Sequence, residues 1–185
     1  MNANDPEEEP IQLDEAGWGT AWSPDGSRIA YTKGYNTIAI FDVVEGTTVN
    51  LFDGPSPYRQ IAWNFVWSPD GKQIAFRATP KDGGKQSVVM VDARGAKHGL
   101  GLLHEGAPLP ALGWSADDGK QILFAEYVPE RNNILQLWAL SPIPGGKAEM
   151  LRGLPEDRQL TDPAVAPDGK KIAFAASKRI PKPEK

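Results

Sequence analysis

Four versions of one short string set the limits on what this chain can fold into. Aligned on a glycine, they read WSPDGSRIAY at Trp22 to Tyr31, WSPDGKQIAF at Trp67 to Phe76, WSADDGKQILF at Trp114 to Phe124, and VAPDGKKIAF at Val165 to Phe174. The glycines Gly26, Gly71, Gly119 and Gly169 are 45, 48 and 50 residues apart. That period suits a propeller blade and is too long for most helical solenoids. The third copy carries one inserted residue, Asp117, and has Ala116 in place of the proline.

Each copy predicts a tight β-hairpin. Proline presets φ at the second turn position, aspartate bonds back to nearby amides, and glycine takes the left-handed conformation that re-enters a strand. A third strand follows at 37–42, 87–92 and 135–141, and a short fourth at 49–52, 100–103 and 148–151. The near-continuous apolar character of the third strands marks elements covered on both faces. No segment shows a helical period. Trp22, Trp67 and Trp114, with Val165 in the fourth copy, end the innermost strands and are expected to wedge between neighbouring blades. Trp18 and Trp63 lie four residues earlier, so at a period of two they should share a face with Trp22 and Trp67.

These strings resemble the WD-repeat-like "PD" propeller repeats of the TolB family. Such repeats occur as well in the propeller domains of tricorn-type and prolyl-oligopeptidase-type peptidases. The resemblance covers roughly residues 16–178 and implies an all-β propeller of four four-stranded antiparallel blades, three complete and one partial. The blades fall at about 16–53, 61–104, 110–152 and 161–178, between an acidic segment 1–15 and a basic tail 179–185. The last blade stops after one hairpin, as would a piece of a larger propeller. The family is similar to propellers that close by lending an N-terminal strand, a role that Pro10 to Leu13 could take. Residues 1–15 carry six acidic and no basic side chains, and residues 170–185 six basic and one acidic, so opposite charges would favour closure, although two ordinary solubilising tails would look the same. An incomplete last blade leaves an edge through which copies of the chain could associate.

Chemistry is scarce by comparison. With no cysteine, disulfides and thiolate metal sites are excluded, and a formal charge of −4 argues against a nucleic-acid surface. No apolar run is long enough for a membrane helix. The opening MNANDPEEEP shows no signal peptide and so reads as cytoplasmic, whereas the resemblance implies the cell envelope, from which a leader would have been trimmed. No G-x-S-x-G elbow, dinucleotide fingerprint or P-loop is present; Gly113-Trp114-Ser115-Ala116-Asp117 lacks the second glycine. His98 and His104 have no third ligand partner and are expected at an outer edge. Asp25, Asp70, Asp118 and Asp168 could be drawn as a ring of carboxylates, but each suits its own turn better. No cofactor is expected.

A non-catalytic protein-binding module, similar to TolB-type platforms, is therefore the expected function. The gating propeller of a serine peptidase and a small-molecule or sugar-binding propeller are the alternatives. Partner contacts are expected on the face that carries the inter-blade linkers, with Tyr35, Tyr58, Arg59 and Arg131 as candidates, because tyrosine and arginine dominate interface hot spots.

Overall fold

A computed structural model describes residues 9–106, 112–115 and 119–178. Blade 1 is a four-stranded antiparallel sheet in chain order, β1 (Gly17–Trp22), β2 (Arg28–Lys33), β3 (Thr37–Asp42) and β4 (Thr47–Asn50). Blade 2 has the same order, but its innermost strand is broken into β5 (Tyr58–Ile61) and β6 (Val66–Trp67), both paired to β7 (Gln73–Pro80). Then come β8 (Ser87–Asp92) and β9 (Leu100–Glu105). Blade 3 comprises β10 (Leu112–Trp114), β11 (Ile122–Val128), β12 (Ile134–Leu140) and β13 (Ala148–Met150), and blade 4 only β14 (Arg158–Val165) and β15 (Ile172–Lys178). The fold is a β-propeller of three full blades and one hairpin. Helix among the described residues is limited to single 3-10 turns at Ala96–His98 and Pro129–Arg131, and no helix is long and apolar enough to cross a membrane.

The hairpin corners are built as the local chemistry requires. In blade 1, Asp25 Oδ1 accepts the Ser23 hydroxyl at 2.6 Å and the Ser27 amide at 3.1 Å, while Ser23 Oγ accepts the Arg28 amide at 2.9 Å. Blade 2 repeats this with Ser68, Asp70, Lys72 and Gln73. In blade 4, where Ala166 replaces the serine, Asp168 keeps only its bond from the Lys170 amide among the described residues. The glycines Gly26, Gly71, Gly119 and Gly169 all have φ between 63° and 71°, a region that costs any side chain about 1–2 kcal/mol. Asp118 lies outside the described residues, as do Ala116 and Asp117.

Three apolar clusters lie between consecutive blades. Ile38, Ile40 and Leu51 of blade 1 meet Trp67, Ile74 and Phe76 of blade 2. Ala75 and Val88 of blade 2 meet Trp114, Ile122 and Phe124 of blade 3. Ala125 and Leu137 of blade 3 meet Leu160 and Phe174 of blade 4. Among the described residues no cluster joins blade 4 back to blade 1.

Two expectations about the innermost strands need correction. Trp67 and Trp114 are wedges, each 7% exposed, but Trp22 is 59% exposed, with no blade packed against it among the described residues. Trp18 and Trp22 also point to opposite faces. A bulge between Trp18 and Thr20 sets Trp18 opposite Thr32 and Trp22 opposite Ile29, which are of opposite parity on β2. Comparable irregularities interrupt β5 between Tyr58 and Gln60, and β14 between Thr161 and Ala164. Pro10 to Leu13 forms no strand. The segment instead runs onto blade 1, where Asp14 pairs with Lys33 at 3.3 Å and accepts the Ala16 amide, which holds its carboxyl below the usual range. β5 and β14 each begin three residues before the blade starts expected at 61 and 161.

Candidate functional site

The irregular inner strands surround the one cavity to which all four blades contribute among those described. Counting three residues back from the corner positions Trp22, Trp67 and Val165 gives Gly19, Asn64 and Asp162, and these residues with their neighbours form its wall. Its volume is about 450 Å³, which suits a small ligand or a few side chains. Blade 1 contributes Gly19 and Thr20, blade 2 the stretch Trp63 to Val66, blade 3 Leu112, and blade 4 Asp162 and Pro163.

Gly19 is what lets the wall close. Its φ is +62°, and a Cβ there would lie 2.5 Å from the Trp63 Cβ and 3.2 Å from its Cα. Blade 2 backbone thus packs directly on the blade 1 bulge. Trp63 is thereby fixed with half of its surface, 50%, left exposed. Asp162 occupies the equivalent bulge in blade 4 with φ +52°, a conformation that aspartate tolerates better than most residues, and Thr161 Oγ donates to its carboxylate at 2.7 Å. Asn64 Oδ1 is buried with no hydrogen-bond partner among the described residues. The polar groups of the wall are the exposed Asp162 carboxylate, the Thr20 hydroxyl and the Asn64 side-chain amide, set beside the half-exposed Trp63 ring. The carboxylate suits a ligand that brings donors, above all a cationic side chain, which can also lie over the face of Trp63.

On the linker face the four candidates divide. Tyr35 is 72% exposed and meets Trp18 edge-on at 6.0 Å, and Trp18 donates its indole N–H to the Gly34 carbonyl at 2.7 Å. Its own carbonyl accepts the Ile61 amide at 2.7 Å, so its loop adjoins the strand that carries Arg59, which is exposed. Tyr58 differs from the expectation. Its ring packs edge-on against Phe52 and Phe76 at 5.9 and 5.8 Å, and burial raises the pKa of its phenol. It belongs to the joint between blades 1 and 2. Arg131 is held by Glu156 at 3.0 Å, tying the β11–β12 loop to the linker into blade 4. Tyr35 and Arg59 are exposed on that face.

His104 is also placed differently from expectation. It lies at the joint between blades 2 and 3, with Nε2 3.3 Å from Glu126 Oε2 and its ring 4.8 Å from Phe124. Beside this joint the Arg77 side chain is fully buried, and its guanidinium nitrogens have no hydrogen-bond partner among the described residues. Burial lowers its pKa to about 10, opposed by the field of Glu126, so it stays cationic at neutral pH. Among the described residues no three side chains of metal-ligating type converge.

Sequence reasoning missed Trp63, Asn64 and Asp162 as a set. The available signal was the break in apolar character at one position of the inner strands of blades 1, 2 and 4, Gly19, Asn64 and Asp162.

No protein-family model matches the sequence, and no curated protein does. Solved structures match the fold. A protein described as TolB from Agrobacterium tumefaciens superposes with a TM-score of 0.68 at 20% identity, over 86% of this chain and 53% of that one. An oligogalacturonate lyase from Vibrio parahaemolyticus gives 0.70 at 14% identity, over 91% of this chain and 49% of that one. The tricorn protease gives 0.56 at 14% identity, over 80% of this chain and 18% of that one. The chain thus spans about half the length of the first two, and at these identities the likeness establishes the propeller fold alone.

Proposed function

We propose that the chain is a non-catalytic propeller module that binds a partner protein at its channel, taking a basic side chain into the cavity. The supporting observation is the character of the wall, with the exposed Asp162 carboxylate beside the half-exposed Trp63 ring. Tyr35 and Arg59 lie on the linker face, where the rest of a partner would rest. A fold shared with a lyase, a peptidase and a TolB protein does not choose among these roles. The choice made here rests on the cavity.

The test uses a short unstructured peptide bearing lysine and arginine, and the same peptide with both replaced by glutamine. The basic peptide should quench tryptophan emission, and Asp162→Asn should weaken its binding about tenfold, the equivalent of roughly 1.4 kcal/mol. Trp63→Ala should remove most of the quenching. Equal binding of the two peptides, or an Asp162→Asn variant that binds like wild type, would overturn the reading. Saturable binding of a neutral oligosaccharide with no response to the basic peptide would transfer the site to sugars.

A further inference from the structure

The joint between blades 1 and 2 is made of recognisable parts. Trp67 lies in a seat formed by Ala21 and Ala30 of the preceding blade, and its indole N–H donates to the Ala21 carbonyl at 3.1 Å. The Arg28 guanidinium stands 4.9 Å over the Trp67 ring and donates to the Gly71 carbonyl at 2.8 Å. Pro24 of the preceding turn comes within 3.8 Å of where a Gly71 Cβ would be. The next joint repeats the contact, with Pro69 3.5 Å from the corresponding point on Gly119.

Both halves of one more such joint are present and unfilled. Blade 4 offers the seat: Ala164 and Ala173 occupy the positions of Ala21 and Ala30, both exposed, and Lys171 occupies the position of Arg28, where blades 2 and 3 have Gln73 and Gln121. Blade 1 offers the wedge: Trp22 is 59% exposed beside Ile29, and a Cβ on Gly26 would meet nothing within 4 Å. The seat uses only the two strands that blade 4 has.

We propose that the Trp22 face of one copy docks on the Ala164–Ala173 seat of a second, head to tail, and that the second copy returns the same contact, closing a two-fold ring. Each joint repeats the one between blades 1 and 2: Trp22 donates to the Ala164 carbonyl, Lys171 lies over its ring, and Pro167 meets Gly26. The ends of the chain agree in charge. β15 runs toward the linker face and ends at Lys178, and Glu9, Asp14 and Glu15 precede β1 at that face. The matched TolB and lyase chains are about twice the length this chain covers, a length that two copies supply. A ring closed by a two-fold axis satisfies both faces at once, whereas a rotation that did not close would build filaments. The inference is independent of what the channel binds.

Sedimentation of the whole chain across a dilution series tests it. Wild type should reach about twice 20.1 kDa and go no higher. Trp22→Ala and Ala173→Glu should each halve the mass while keeping the wild-type circular dichroism spectrum, since neither position lies in a core cluster. Mixed together, the two variants should recover a dimer, because one intact wedge meets one intact seat. A wild-type chain that stays at 20.1 kDa would overturn the proposal and leave the face for a blade on another polypeptide. A dimer indifferent to both variants, a mixture that stays monomeric, or growth beyond a dimer would overturn it as well.

Discussion

The most informative single perturbation is Trp67→Ala. The side chain is 7% exposed between blades 1 and 2, where it combines three interactions: apolar burial, an indole bond to the Ala21 carbonyl, and the Arg28 guanidinium above its ring. Deleting a buried ring of this size costs about 3–5 kcal/mol. Trp67→Phe keeps most of the burial but orphans the Ala21 carbonyl and weakens the cation–π contact, which together should cost about 1–2 kcal/mol. Urea denaturation followed by far-UV circular dichroism measures both. The expected order is wild type, then Phe, then Ala, with most of the loss between the last two. If Trp67→Ala costs less than about 1 kcal/mol, the wedge does not hold the blades together and the reading of the repeat as a packing device fails.

Gly19→Ala should destabilise by about 2 kcal/mol or more, from a left-handed φ and a Cβ driven into Trp63; thermal melting checks the loss, and a shifted Trp63 emission should accompany it. The corner carboxylates set an acid limit. Hydrogen bonds from Ser23 and Ser27 bring Asp25 to about 2, and bonds from Ser68 and Lys72 lower Asp70. Because the folded values lie below the usual 3.8, these groups stabilise fully above about pH 4 and lose that contribution as pH falls toward 2. Asp25→Asn with Asp70→Asn should be less stable at neutral pH and should lose less on acidification, as read from denaturant midpoints at each pH. Arg77→Met should leave stability unchanged or raise it by about 1–4 kcal/mol, since it removes a buried cation that has no hydrogen bond among the described residues and keeps the volume; a clear loss in urea would show that the guanidinium is paired.

The hairpins were legible because Ser-Pro-Asp-Gly fixes its own geometry within a few residues. The third strands were legible because burial on both faces leaves an apolar run. The inner strands were less so, since a bulge is set by what lies across the channel: Gly19 is left-handed because Trp63 needs the space, and a glycine in a strand signals a break without saying what it accommodates. Trp22 and Trp67 stand in identical pentapeptides, yet one is exposed and the other buried. Only the presence of a preceding blade separates them. The same limit explains Tyr58 and Arg131, whose partners Phe76 and Glu156 are distant in sequence.

The bulges have a consequence for how such a protein can change over time. A strand that absorbs one extra residue midway resets its own phase, so the part above Gly19 or Asp162 is uncoupled from the corner below. An extra residue above Gly19 or Asp162 is phased separately from Trp22 or Val165 and the turns that follow them. The channel wall can therefore drift toward new ligands while the corners stay under constraint. In the four repeats the corner strings remain nearly the same and the residues above them have almost nothing in common.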